Sequence, residues 1–184
     1  MSRPLRADAR RNRARLLEVA DRVFSEQGVG ASTEEVARAA GVGIGTVFRH
    51  FPTKDALLEA VLTERLTRLA EQAEALATAP DPGAALDRYV LLVVGHARTK
   101  NAYGDALAAG GNDLSAIKAE VGGRLRAALA ALLGRAQEAG AVRPDLVPAD
   151  LMALLVGASR AVEHTADGAA RDRVLGVLLA GLRP

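Results

Sequence analysis

The chain has 184 residues, 49% of them apolar and 25% charged, with a formal net charge of +2 and no cysteine. That is the composition of a globular protein able to bury a sizeable core, and it excludes a disordered chain, a disulfide framework, a thiolate zinc site and a thiol nucleophile. The longest uncharged apolar run, Val174 to Leu182, is far short of the roughly 20 residues of a membrane-spanning helix. The arginines from Arg3 to Arg15 precede no apolar stretch of a secretory signal, so a cytoplasmic protein without a membrane partner is expected.

Helical periodicity runs through the chain, and no segment shows the alternation of a strand. From Ala7 onward, Leu16, Val19, Ala20, Val23 and Phe24 recur at spacings of three and four, and Gly28 supplies a stop. Ser32-Thr33-Glu34-Glu35 predicts a capping box, the serine accepting from the Glu35 amide and the Glu35 carboxylate reaching back. Val36, Ala37 and Ala40 form the apolar side of that short helix, and Gly41 ends it. A further short helix fits Ile44 to His50, because Pro52 cannot continue it. Thr53 then caps a long amphipathic helix carrying Leu57, Val61, Leu62, Leu66, Leu69, Ala73 and Leu76, which ends near Pro80-Asp81-Pro82-Gly83. Five more helices are predicted at about 83–100, 102–109, 113–139, 148–166 and 169–182. Gly110-Gly111, Gly140 with Pro144, and Asp167-Gly168 mark the breaks, and Gly122-Gly123 is a point where the 113–139 helix is open to a kink.

Charge divides the chain unevenly. Residues 1–54 hold ten basic and six acidic side chains, whereas 55–184 hold fourteen and sixteen. A basic segment joined to a mildly acidic body is the asymmetry of a nucleic-acid-binding end, although a membrane surface or an acidic partner protein fits it too. Three helices within some fifty residues, the second and third short and joined by a glycine turn, match the helix-turn-helix plan. In that plan the third helix enters the major groove, and Gly41, Gly43 and Gly45 permit a tight turn and close backbone approach. Arg49 and His50 then reach flanking phosphates. Lys54, in the first turn of a helix, opposes the macrodipole by about 0.3–1 kcal/mol, which a phosphate docked there would offset. The glycine run is not a dinucleotide fingerprint, since its spacing is GxGxG and no strand precedes it.

Residues 10–62, and above all the ungapped run from Ser32 to Lys54 (STEEVARAAGVGIGTVFRHFPTK), resemble the tetracycline-repressor (TetR/AcrR) family of bacterial transcription regulators. The stretches Thr99–Gly104 and Ala136–Pro144 and the final Leu-rich helix resemble one actinobacterial-type subgroup. By position, the resemblance implies phosphate contacts at Thr33, Thr46, His50 and Lys54. It implies groove-facing positions at Ile44, Gly45 and Phe48, and a variable, sometimes base-reading position at Arg49. Three departures matter. Gly43 replaces the usual polar cap, Phe48 replaces a tyrosine and so cannot bond a phosphate, and Glu34 stands where some members read bases with arginine. The second helix is therefore not expected to read bases, whereas the Arg3 to Arg15 arm is placed to enter the minor groove or track phosphates.

The resemblance also implies an all-α chain of two domains, a helix-turn-helix domain at 1–54 and a helical effector-binding and dimerisation domain at 55–184. Pairing of the last two helices with their mates in a homodimer is implied as well, and it suits the physics, because one half-site is a weak hold. The alternative is that both helix faces are monomer core. A small-molecule effector pocket is implied among the helices from 83 to 166. Its candidate lining is Tyr89, Val93, His96 and Lys100, with Tyr103, Asn112, Met152, Arg160 and His164 as further possibilities. Tyr89, Val93, His96 and Lys100 fall on one predicted helical stripe.

No cofactor or metal is called for. The chain lacks GxSxG, HExxH and P-loop motifs, and its histidines stand far apart at 50, 96 and 164, so an enzyme is not expected. The expectation is a sequence-specific DNA-binding regulator, a repressor released from a palindromic operator by an effector. The alternative is a helical small-molecule or protein-binding module without sequence-specific DNA binding.

Overall fold

The structure is a computed structural model. It describes residues 3–165 and 167–184, apart from the side chains of residues 3–9, 98, 116–118 and 120. Among the described residues all regular structure is helical: α1 (Arg3–Gln27), α2 (Thr33–Ala40), α3 (Ile44–His50), α4 (Lys54–Leu76), α5 (Pro82–Gly95), α6 (Ala97–Ala109), α7 (Ser115–Glu138), α8 (Pro148–Ala161) and α9 (Gly168–Gly181), with a 3-10 turn at Val162–His164. No helix among these residues is long and apolar enough to cross a membrane.

The chain forms two compact units, Met1–Glu64 with Ala102–Leu114, and Arg65–Asn101 with Ser115–Pro184. The first thus extends beyond residue 54, and α4 and α6 each contribute residues to both.

In the first unit α1 packs on α2 and α2 on α3. The three-and-four spacing seen in the sequence places Leu16, Val19, Ala20, Val23 and Phe24 in the core, with Val36, Ala37 and Ala40 of α2 and Val47 of α3. Each large apolar side chain so buried contributes about 1.5–3 kcal/mol. At the start of α2 the Glu35 amide donates to Ser32 Oγ at 3.2 Å, and the Ser32 amide donates to Glu35 Oε2 at 2.6 Å. Gly41 ends the helix at φ +68°, its amide donating to the Arg38 carbonyl at 3.1 Å while the Val42 amide donates to that of Ala37 at 3.0 Å. This left-handed closure, which costs other residues roughly 1–2 kcal/mol, makes the tight turn into α3. The start of α3 has no side-chain cap. Only the Thr46 amide turns back, to the Gly43 carbonyl at 2.9 Å. Thr53 Oγ1 caps α4 by accepting from the Ala56 amide at 3.0 Å. The second half of α6 completes this unit. Tyr103 is fully buried, edge-on to Phe24 at 6.1 Å, and Asn112 donates to Asp55 at 2.9 Å.

In the second unit α5, α7 and α8 contact one another and α9 lies on α8. Leu86, Tyr89 and Val90 of α5, Leu129, Leu132 and Leu133 of α7, and Leu151 and Leu155 of α8 form its core with Leu69 and Ala73 of α4. Arg124 holds Glu74 through two bonds of 2.7 Å, and Arg135 donates to the Ala77 and Ala79 carbonyls beyond the end of α4.

Several helix boundaries differ from the sequence reading, among them the start of α6 at Ala97 rather than 102 and of α1 at Arg3 rather than Ala7. The helix predicted at 83–100 stops at Gly95. At His96 (φ −95°, ψ 3°) the ring Nδ1 lies 2.9 Å from the Leu92 carbonyl, which also accepts the His96 amide at 3.1 Å. The helix predicted at 148–166 gives way to the 3-10 turn after Ala161. α7, by contrast, runs unbroken through Gly122-Gly123.

Candidate nucleic-acid interface and apolar cavity

The eight positions expected on DNA all fall in the first unit. Thr33 opens α2, Ile44, Gly45 and Thr46 form the first turn of α3, Phe48, Arg49 and His50 its last turn, and Lys54 opens α4. α3 turns Val47 fully inward, which leaves Gly45, Phe48 and Arg49 exposed, while Thr33, Ile44, Thr46, His50 and Lys54 are half-buried around them. The Phe48 ring is 43% exposed on this short helix. Lys54 Nζ donates to the Gly30 carbonyl at 3.1 Å, which uses one of its three ammonium hydrogens and ties the start of α4 to the turn before α2. Hydrogen bonds from Ser32 hold the Glu35 carboxyl below the usual carboxylate range, so the cap is ionised at neutral pH.

The expected basic arm is helical from Arg3, where α1 begins. Arg13 lies over the Phe51 ring at 5.0 Å, and Arg15 donates to the Ala40 carbonyl at the end of α2 at 3.3 Å. Arg3 and Arg6 lie outside the described side chains.

The second unit contains a partly open cavity of about 50 Å³. It is bounded by Leu66 and Leu69 of α4, Tyr89 and Val93 of α5, Lys100 of α6, Leu125 and Leu129 of α7, and Met152, Leu155, Val156 and Ser159 of α8. Of the residues proposed for an effector site, Tyr89, Val93, Lys100 and Met152 meet here, whereas His96, His164 and Tyr103 do not. His96 is exposed at the α5–α6 break, which takes it off the stripe it was assigned to. His164 is exposed in the 3-10 turn. Tyr103 is buried in the other unit, donating to the Asp21 carboxylate at 3.0 Å.

Three polar groups line the cavity: the Tyr89 phenol, the Lys100 ammonium and the Ser159 hydroxyl. Burial pushes the Tyr89 phenol well above its ordinary value, so it remains a proton donor at neutral pH. Ser159 is only 1% exposed and its Oγ has no hydrogen-bond partner, a state that costs about 1–3 kcal/mol. The sequence places Lys100 on one stripe with Tyr89 and Val93, whereas Ser159 is not among its candidates. The available signal was a hydroxyl within an otherwise apolar helix.

A separate open groove of about 720 Å³ runs along α8 and α9, lined by Leu154, Gly157, Val174, Val177, Leu178 and Gly181, with Asp150 at its edge. Val177 is 76% and Leu154 39% exposed, so this face is not covered by the single chain.

Comparison with known proteins agrees with this two-part architecture. Residues 16–61 match the family described as bacterial regulatory proteins, tetR family, and residues 81–184 match the C-terminal domain of SbtR-like transcriptional regulators. A TetR transcription regulatory protein from Mycobacterium vanbaalenii is 42% identical, covering 98% of this chain and 100% of its own, with a TM-score of 0.79. A TetR transcriptional regulator from Streptomyces coelicolor is 35% identical over 94% of this chain and 98% of its own, with a TM-score of 0.76. An HTH-type transcriptional regulator of Staphylococcus aureus (strain USA300) is 40% identical over 63 residues, 34% of this chain. The match spans about a third of that curated relative's length, 34%. The chain belongs to the TetR family of bacterial regulatory proteins.

Proposed function

We propose that the chain is a cytoplasmic homodimeric repressor that binds a palindromic operator and leaves it when a small molecule enters the second unit. The observation that carries the reading is α3 itself. It buries Val47 yet presents Gly45, Phe48 and Arg49 to solvent, ringed by Thr33, Thr46, His50 and Lys54. In this reading the hydroxyls, imidazole and ammonium hold phosphates, while Ile44, Gly45, Phe48 and Arg49 meet base edges.

The groove on α8 and α9 is the proposed dimer surface. An apolar face of this size left open on one chain favours a partner, and a two-fold pair would set two α3 helices about 34–36 Å apart, one turn of DNA. Release is a population shift, in which the effector prefers an arrangement that fits the operator poorly. α4 and α6 are the candidate transmitters. α6 carries Lys100 at the cavity and, three residues on, the anchored Tyr103.

Selection of bound DNA from a random pool tests the reading. One palindromic sequence is the expected result. Salt-sensitive binding without sequence preference would overturn it in favour of a helical module whose basic end meets an acidic partner.

A further inference from the structure

We propose that the cavity of the second unit takes a small uncharged carbonyl compound, whose oxygen accepts from the Ser159 hydroxyl with the Tyr89 hydroxyl as second donor. The proposal rests on reading this cavity as the effector site and adds the chemical class of the effector.

Ser159 carries the inference. A hydroxyl within a helix ordinarily bonds back to a carbonyl three or four residues earlier, yet this one is buried, lines the cavity and has no hydrogen-bond partner among the described residues. An unsatisfied buried donor is an unfilled place for an acceptor. Tyr89 lines the same cavity, is equally buried and keeps its phenol proton at neutral pH. A carbonyl oxygen brings two lone pairs and no proton of its own, which suits two hydroxyl donors, whereas a hydrocarbon would leave Ser159 unsatisfied.

The rest of the wall sets the charge of the ligand. It is apolar apart from Lys100, and Lys100 already has a partner. No carboxylate is among the described lining residues. An anion would have to compete for an ammonium that is engaged, and a cation would find no counter-charge at all. Either ion would lose its hydration without a replacement, so an uncharged molecule is selected.

Size narrows the class further. The cavity of about 50 Å³ has room for one or two waters, at roughly 30 Å³ each, and so for little more than the carbonyl group itself. The body of any ligand must displace the side chains around it. Met152, with three rotatable bonds, is the adaptable wall, and Leu66 is only partly buried. A short ketone can be admitted this way, whereas a long or polycyclic molecule cannot. Forced entry between α5 and α8 also supplies the differential affinity that an effector needs, because packed helices respond by shifting rather than by yielding gradually.

The test is an NMR titration of the full chain, without DNA, carrying methyl-labelled methionine, because Met152 is one of only two methionines and lines the cavity. The probes are butanone, the alkene with a methylene in place of its oxygen, and propanoate, which has the same shape and a negative charge. Butanone should shift the Met152 methyl signal saturably, and propanoate should bind about tenfold or more weaker. Ser159→Ala should weaken butanone about two- to tenfold, as one hydrogen bond is lost, and leave the alkene unchanged or tighter. Tyr89→Phe should weaken butanone by a similar factor. The melting temperature of the ligand-free Ser159→Ala chain should stay constant or rise, because the substitution removes an unsatisfied hydroxyl, and a fall would overturn the proposal. So would the absence of a saturable shift with butanone, propanoate binding as well as butanone, either variant with undiminished butanone affinity, or an Ser159→Ala loss shared equally by the alkene. Operator binding is scored separately. Butanone that binds as described without weakening operator binding upholds the carbonyl site and overturns the effector reading. Operator binding with no butanone binding overturns the carbonyl site alone.

Discussion

The Tyr103 phenol donates to the Asp21 carboxylate at 3.0 Å and so fastens α6 to α1 inside the first unit. Because the ring is fully buried and also meets Phe24 edge-on, Tyr103→Phe keeps the aromatic packing and removes the hydroxyl with its bonds to the Asp21 carboxylate and carbonyl. The expected cost is about 1–2 kcal/mol of stability, read as a lower urea midpoint at unchanged slope. An unchanged midpoint would mean that packing alone holds α6 to α1.

Lys54 combines a structural bond to Gly30 with a place at the proposed phosphate line. Lys54→Ala should weaken operator binding to a similar degree for every operator variant and lower the slope of log affinity against log salt by about 0.9. Phe48→Ala, by contrast, should alter preference among operator variants and leave that slope unchanged. Titrations across a salt series separate the two outcomes.

The Glu35 cap makes the first unit sensitive to acid. Its folded carboxyl titrates below the ordinary value because Ser32 donates to the ionised form. The unfolded chain therefore takes up the proton first as pH falls. The stabilisation is complete above the ordinary carboxylate value and is lost progressively as pH drops from there through the depressed folded value. Glu35→Gln should flatten this acid limb, and thermal unfolding from about pH 6 down to pH 3 would record it.

Val177, at 76% exposure, lies on the proposed dimer face. Val177→Glu should leave the helical circular dichroism unchanged, convert the dimer to monomer in sedimentation, and reduce operator affinity about tenfold or more as one half-site is lost. A dimer that survives this change and Leu154→Arg would place the two-fold contact elsewhere.

Local chemistry explains which parts of this architecture can be read along the chain. The Ser32–Glu35 box, the Gly41 turn, the α3 span from Ile44 to His50 and the turn before α5 each depend on residues a few positions apart. So does the all-helical class, since apolar spacing of three and four is a property of each segment. The end of α5 is different. Apolar periodicity continues past Val94 into Ala97, both buried, and nothing adjacent shows that His96 closes on Leu92. Gly122-Gly123 errs the other way, since two glycines weaken a helix by about 1 kcal/mol each and α7 nonetheless passes through them unbroken.

The cavity and its contents belong to the tertiary level entirely. Periodicity can mark Tyr89 and Tyr103 as inward-facing but cannot say that one joins Met152 and Ser159 while the other joins Asp21 and Phe24. The near-neutral total charge likewise hides a basic end and an acidic body, a division that simple counting recovers. Helix positions and the outline of the DNA-binding unit follow from the chain's own order because their interactions are short in sequence. The grouping of Lys100 with Ser159, fifty-nine positions apart, required five helices to converge, and only packing could decide it.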